Sequence, residues 1–478
     1  MACYVVLIGG TGHRVGKAIV HLAASGSLPV NSLKMMCVDS DGGNEDFALL
    51  KGLVEKYRKL DANNIFETKI LTKNENIEEL CWSPLADMSD MKTILGKSFM
   101  GDKTGKKVLD FLYTDFEQTK TLTEGFYGHT SIGSLFMADQ LMTAPGTLTP
   151  EWHAFLQDIT DGDKIFVVGS AFGGTGASGV PTISRILKEF RPNVDISAIL
   201  VMPYFKFTTE KNDGVIDYTA FTTKTKAAMS FYDKQNFDKI FRSLYIIGED
   251  VDQFMNVGYS VGGNSQVNCP NAIELCAATA LIDFLKSAPA AFEIKLMTRD
   301  EENGLMLVTQ DMLNKAGQSN SYENLAGLLK FAVMYTKYYY HHLKEGRANG
   351  AWLDKYKGIT PEEMDFLYEY SMLFINWMRA VHRQTDANGY LTPNVNNAIR
   401  LFRFSLDYDI LYNGAPVTKT LFGEKTKELD LLSEIVFGDR VGKKGDEIIT
   451  DFNNEAPVEG ASPFARFYRT LLNLCKNS

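Results

Sequence analysis

The chain has 478 residues, a formal net charge of −10 and an ordinary globular composition, 45% hydrophobic and 23% charged. That balance excludes broad electrostatic attraction to DNA, RNA or anionic lipid, and the length allows two domains with a sizeable core. No apolar run reaches the length of a membrane span, the first residues lack a signal-peptide pattern, and Cys3, Cys37, Cys81, Cys269, Cys276 and Cys475 include no Cys-x-x-Cys pair. Buried reduced thiols in a cytoplasmic protein are the expectation.

In chain order, the first expected strand is Cys3–Ile8, followed at once by the glycine turn "IGGTGHRVG" and a helix over Gly16–Ala24. A second strand, Lys34–Val38, leads into "CVDSD". Residues 43–123 are mostly polar with helical periodicity and read as an insertion on the sheet domain. Thr149-Pro150-Glu151 is a helix start, an N-cap followed by proline and an acid, for a helix over Pro150–Gln157. Strand Lys164–Gly169 then runs into a second glycine turn, Gly173-Gly174-Thr175-Gly176, and a helix over Pro181–Phe190. Strands Ile196–Met202 and Ser243–Ile247 flank a helix over Ala220–Lys234. Short strands alternating with helices predict a parallel sheet covered on both faces. In "CPNAIELCAATALIDFL", Ile273, Cys276, Ala277, Ala280, Leu281 and Phe284 recur at helical spacing and most other positions are also apolar, which predicts a buried helix.

Beyond about residue 290 the pattern becomes helical and aromatic, with "YENLAGLLKFAVMYTKYYYHHL", "TPEEMDFLYEYSMLFINWMRAVH" and "SPFARFYRTLLNLC" as long amphipathic segments. Strand signals there are few: Glu293–Leu296, Leu305–Thr309 and "LFRFSLDYDILY".

The two glycine turns are the candidate chemistry. Glycine allows close backbone approach and positive φ, successive N–H groups form a concave donor cluster, and a helix N-terminus adds positive potential. Two such turns at neighbouring strand ends can hold two parts of one polyphosphate. The first turn is also a near-match to the dinucleotide fingerprint, met at Gly10 and Gly12 but broken by Val15, and Asp39 would suit a ribose-binding acid. An NAD(P)-dependent oxidoreductase therefore stands as an alternative, although it gives no reason for the second turn.

The spacing Gly9-x-x-Gly12-x-x-x-Gly16, together with the later Gly173–Gly176 block, resembles the tubulin/FtsZ superfamily of GTPases. The resemblance implies a Rossmann-like parallel-sheet domain over residues 1–290, with a long central helix, and a largely helical C-terminal domain over 291–478. It implies that Gly9, Gly10, Thr11, Gly12, His13 and Gly16 form the first nucleotide loop and that Asp39 and Asp41 lie near the phosphates and Mg2+. Gly128 and His129 in "GFYGHTSIGS" would approach the γ-phosphate, Gly173, Gly174, Thr175 and Gly176 would hold phosphate, and Pro203 and Phe205 would flank the ribose. Asn271 would read guanine, since its amide can donate and accept at once; an ordinary helix-start residue is the alternative. The cofactors implied are GTP or GDP with Mg2+, and the partners are further copies of the chain or a multi-protein assembly. The acidic Asn-x-Asp-x-x-Asp pattern of FtsZ is missing after Asp283, where Glu293, Asp300, Glu301 and Glu302 are the nearest acids and read as a solvated turn. No catalytic residue is named, filament formation and hydrolysis stay open, and a non-hydrolysing structural protein of the same fold is a third reading.

Other candidates carry bland readings. His341 and His342 are adjacent and point to different helix faces, so a shared metal is not expected. Ser170 and Ser178 lack the Gly-x-Ser-x-Gly spacing of a hydrolase. Tyr338-Tyr339-Tyr340 reads as the core and rim of a helix packing face.

Overall fold

The computed structural model describes residues 2–40, 44–71, 80–85, 90, 103–119, 122, 126, 129–144, 146–208, 218–249, 255–258, 269–288, 291–297, 320–345, 351–382 and 445–477. The expected strands at 305–309 and 401–412, and the site candidates Asp41, Gly128, Asp300, Glu301 and Glu302, lie outside these residues.

Strands β1 (Ala2–Ile8), β2 (Ser32–Val38), β3 (Lys69–Leu71), β7 (Lys164–Ser170), β8 (Asp195–Val201), β10 (Ser243–Ile247) and β12 (Glu293–Met297) form one parallel sheet in the order β12-β10-β8-β7-β1-β2-β3. The short β4 (Cys81–Trp82) pairs with the end of β2, Cys37 opposite Cys81. Two small ribbons lie apart from this sheet: β5 (Met142–Ala144) with β6 (Thr147–Leu148), and β9 (Phe205–Thr208) with β11 (Met255–Gly258). The sheet is Rossmann-like. Its β1 lies centrally, the chain grows from β1 toward β3 on one side, and from β7 toward β12 on the other.

Alternation along the strands builds two cores. Cys3, Val5 and Leu7 of β1 face one layer with Phe166 and Val168 of β7, while Tyr4, Val6 and Ile8 face the other with Ile165 and Val167. The first layer holds α1 (Gly9–Ala24), α2 (Glu45–Asp61) and the central helix. The second holds the helices Thr130–Gln140, Pro150–Leu156 and Gly174–Phe190. We number α3 (Lys103–Leu112), α4 (Asp115–Thr119), α5 (Thr130–Gln140), α6 (Pro150–Leu156), α7 (Gly174–Phe190), α8 (Tyr218–Tyr232) and the central α9 (Ala272–Lys286). Apart from its ends, α9 is apolar nearly all round and lies buried, as its composition requires.

The polar stretch 43–123 does not stand wholly outside the sheet. Its first part forms α2, which packs on α1 through Leu50, Leu53, Val54 and Tyr57, and β3, which extends β2. An exposed polar face on α2 concealed this role in the sequence, because only one stripe of the helix is apolar.

The C-terminal helices α10 (Ser321–Met334), α11 (Tyr340–Glu345), α12 (Ala351–Lys355), α13 (Pro361–His382), α14 (Gly445–Asn454) and α15 (Pro463–Lys476) supply residues to the first layer. Tyr335–Tyr339 make one π turn between α10 and α11, with Tyr335, Tyr338 and Tyr339 buried. Thus α13 and α15 pack into the core that also contains α1 and α2.

His21 of α1 sits at that junction, 2% exposed, with Nδ1 3.3 Å from the Tyr370 hydroxyl and its ring centroid 4.6 Å from that of Trp377. Burial, reinforced by the Lys17 charge one turn away, pushes its pKa down to about 3. The folded chain therefore holds a neutral imidazole, while the unfolded chain takes up a proton below about pH 6.5. The stabilisation is complete above that pH and is lost as pH falls toward 3. Urea unfolding should show stability declining from pH 6.5 to pH 4. His21→Phe should remove about one proton from that slope, about 1.4 kcal/mol per pH unit; an unchanged slope would contradict the assignment.

Candidate functional site

β1 and β7 are hydrogen-bonded neighbours, Leu7 opposite Val168, and each ends in a glycine turn that starts a helix. The two helices leave for opposite faces of the sheet. This is the point where strand order reverses, and in open α/β sheets the crevice beyond the strand ends at such a point is the binding position.

The turns touch. Gly9 has φ +70°, in the left-handed region that favours glycine, and a Cβ there would lie 3.4 Å from Thr175 Cβ and 3.5 Å from the Gly176 nitrogen. Gly176 rests on the end of β7, where an added Cβ would come within 2.6 Å of the Ser170 nitrogen. Neither helix carries a side-chain N-cap: Ile8 precedes α1 and Gly173 precedes α7. By contrast Asn44 caps α2, accepting from the Asp46 N–H, and Asn271 caps α9. The first N–H groups of α1 and α7 thus have neither an intrahelical acceptor nor a capping side chain.

Not every glycine of the motif belongs to this hollow. A Cβ on Gly12 would lie 2.8 Å from the Leu7 carbonyl carbon and 3.2 Å from the Val168 oxygen, so Gly12 lets α1 lie directly on β1 and β7. Gly16 is two turns into α1, and a Cβ there would meet Leu7 Cδ1 at 2.5 Å and Leu50 Cδ2 at 3.0 Å. Its role is packing. Thr11 is buried and its hydroxyl accepts from Arg14 Nη2 at 3.0 Å.

Asp39 and Ser40 follow β2 at the rim of the hollow. Asp39 is buried and accepts from Asn44 Nδ2 at 3.1 Å, and the Ser40 hydroxyl lies 3.3 Å from that of Thr175. His13 is fully buried, 3.6 Å from Asp39 through Nδ1. Burial, with Arg14 and Lys17 adding to it against Asp46, pushes the His13 pKa down to about 3, so the contact joins a neutral imidazole to a carboxylate. Neither His13 ring nitrogen has a hydrogen-bond partner among the described residues. Among those residues no cluster of three or more metal-ligating side chains occurs, and Asp39 is the described member of the expected magnesium pair.

Behind the hollow lies a buried ion network that the sequence did not disclose. Arg14, 3% exposed, pairs with Asp46 at 2.7 Å and Glu274 at 2.8 Å, and donates to the Tyr204 hydroxyl. Lys17 pairs with the other Asp46 oxygen at 2.9 Å, and the Tyr204 hydroxyl donates to Glu274 at 2.7 Å. Burial alone would raise the Asp46 carboxyl; Arg14 and Lys17 outweigh it and hold it below its usual range. Glu274 also accepts from the Asn271 N–H, completing a capping box, while the Asn271 side-chain Oδ1 accepts from the Ile273 N–H at 2.9 Å. The Asn271-x-x-Glu274 spacing is the one sequence signal that pointed here.

The remaining candidates are distributed around this centre. His129 precedes α5, and Gly133 of that helix packs on Ser178 of α7. Pro203 is half-buried beside Tyr204, but Phe205 is buried edge-on against Tyr204 and Phe172, in the core rather than open to a ribose. His13, expected in the first nucleotide loop, is buried, as is the neighbouring Arg14.

No protein-family model matches the chain, and no curated protein does. Among solved structures it is similar to CetZ from Methanosaeta thermophila strain DSM 6194, with 13% identity and a TM-score of 0.29, covering 66% of this chain and 58% of that one. The fold assignment rests on the sheet itself. No helix among the described residues is long and apolar enough to cross a membrane.

Removing one member of a buried ion pair leaves the other charge uncompensated, which costs about 3–5 kcal/mol. Arg14→Met should therefore lower unfolding free energy by about that amount in urea titrations. Glu274→Gln, which leaves Arg14 paired with Asp46, should cost clearly less; equal losses would place the penalty in packing rather than charge.

Proposed function

We propose that the crevice beyond β1 and β7 binds a guanine nucleotide, GTP or GDP, as its Mg2+ complex, and that the chain is a tubulin/FtsZ-like nucleotide-binding protein that assembles with copies of itself or with other proteins. The observation that carries this reading is the contact between the two turns, Gly9 against Thr175 and Gly176, which joins two uncapped helix N-termini in one hollow. Dinucleotide binding accounts for the first turn and for Asp39 at the end of β2, and is the second reading. It leaves the second turn without a ligand.

The residues fit the nucleotide as follows. Backbone N–H groups at Gly10–Gly12 and Gly174–Gly176 would take phosphate oxygens, and the Thr175 hydroxyl would donate to one of them. The nearest described cations, Arg14 and Lys17, are committed to Asp46 and Glu274, so amides rather than basic side chains would carry the anion. Asp39 would hold the magnesium ion, which neutralises phosphate charge while keeping several waters. Asn271, fixed as the cap of α9, would present its amide to the base.

Binding is proposed ahead of turnover. Phosphoryl transfer to water needs a positioned water as well as charge neutralisation. Of the acids beyond α9, Glu293 lies on edge strand β12 rather than in a turn, and its carboxylate is engaged by Lys295 and the Ser243 hydroxyl. An acid from a neighbouring copy would supply hydrolysis.

Calorimetry should rank GTP above ATP and NADPH in the presence of magnesium; tighter binding of NADPH would favour the dinucleotide reading. Asn271→Ser retains a capping oxygen and removes the amide donor. It should leave stability within about 0.5 kcal/mol and reduce GTP affinity about tenfold without changing ATP affinity. Equal changes for both nucleotides would leave Asn271 as a cap alone.

A further inference from the structure

A second cleft lies at the other end of the sheet. It measures about 720 Å³ and is lined by Lys355, Pro457, Glu459, Gly460, Arg466 and Arg469. Arg469 Nη2 donates to the Asn64 carbonyl at 2.6 Å, just beyond the last residue of α2. Because α2 runs back from the carboxyl ends of the strands, its C-terminus lies by their starts. The helix, like α1 beside it, is about 25 Å long, which separates this cleft from the glycine turns.

The cleft concentrates positive charge on a chain whose net charge is −10. Three cations face it against one carboxylate, Glu459, and none of the three forms an ion pair with a carboxylate among the described residues. Two of them are fixed in place. Lys355 Nζ donates to the Asn453 and Glu455 carbonyls at 2.7 and 2.9 Å, and Arg469 donates to the Glu459 and Asn64 carbonyls. Those acceptors are neutral, so they orient the cations without cancelling their charge.

Arg466 is the third and has no such tether. Its Nε is shielded from solvent and has no hydrogen-bond partner among the described residues. A shielded guanidinium N–H without an acceptor is costly unless a ligand or water supplies one. Arg466 and Arg469 stand three residues apart on α15, on one helix face. Gly460 lets the chain before α15 lie directly on the helix: a Cβ there would come within 2.9 Å of the Arg466 backbone nitrogen. The α15 N-terminus itself is already capped by Ser462, which accepts from the Ala465 N–H at 3.1 Å. Recognition here would come from side chains.

We propose that this cleft binds a small, multiply charged oxyanion, a phosphate- or carboxylate-bearing molecule, with Arg466 as its principal ligand and Lys355 and Arg469 as flanking charges. The volume suits a small molecule, and arginine forks match planar or tetrahedral oxyanions.

Calorimetry on the full chain in magnesium-free buffer, with pyrophosphate and citrate as probes, tests the assignment. One equivalent of at least one probe should bind saturably. Arg466→Gln should weaken it about tenfold or more, and Arg466→Lys should fall between Gln and the wild type. Lys59→Gln, which removes an exposed charge elsewhere, and Thr175→Asp, which places a carboxylate in the glycine-turn hollow, should leave it unchanged. Preference for pyrophosphate or for citrate identifies the headgroup. Absence of saturable binding, an equal loss in Lys59→Gln, or loss in Thr175→Asp with retention in Arg466→Gln would each overturn the proposal. Should Arg466→Gln fail to fold, Arg469→Gln and Arg466→Lys give the same comparison. GTP affinity is expected to be unaffected by Arg466→Gln, so this site and the proposed nucleotide site fail or stand separately.

Discussion

Two neighbouring parallel strands each turn straight into a helix, and the turns must share one small volume. Gly9 lies against Thr175 and Gly176 with φ +70°, a backbone conformation that residues with a side chain rarely adopt. That steric constraint sets the rest of the arrangement. It places two helix N-termini side by side and sends α1 and α7 to opposite sheet faces. It also brings the end of β2, with Asp39 and Ser40, to the rim. Gly12 extends the same constraint into α1, because the helix lies on the backbone of β1 and β7 at a distance that only glycine permits.

Behind the hollow the first layer is held by charge as well as by apolar contact. Arg14 and Lys17 of α1 meet Asp46 at the start of α2, and Arg14 also meets Glu274 at the start of α9. Three helix beginnings are thereby fixed to one another. The far end of α9 is fixed too: Lys164, the first residue of β7, donates to the carbonyls of Phe284, Leu285 and Ser287. A helix anchored at both ends holds its cap, Asn271, at a set distance from the glycine turns. A buried ion network contributes less to net stability than an apolar core of equal volume, since desolvation offsets much of the attraction. Its consequence here is registration of α1, α2 and α9.

What was legible in the sequence followed from local rules. The strands at Cys3–Ile8, Lys164–Gly169 and Ser243–Ile247 read as short apolar runs, and both glycine turns announced themselves between a strand and a helix. The burial of α9 followed from its composition. What was not legible depended on contacts distant in sequence. Arg14 is 32 residues from Asp46 and 260 from Glu274, so nothing local in "GHRVGK" marks its charges as buried. Periodicity marked a helix in the stretch that forms α2, but not that this helix packs on α1 as part of the core. The glycines of the first motif looked equivalent, and only packing distinguishes Gly9, which shapes the hollow, from Gly16, which seats α1 against Leu50. Phe205, placed near a ribose by resemblance, is held in the core by Tyr204 and Phe172.

Amide hydrogen exchange with and without GTP and magnesium tests the shared hollow most directly. Protection should rise together in the peptides covering residues 9–13 and 173–177, and should be absent with magnesium omitted. Protection confined to one of the two, or to neither while GTP binds elsewhere, would contradict the account.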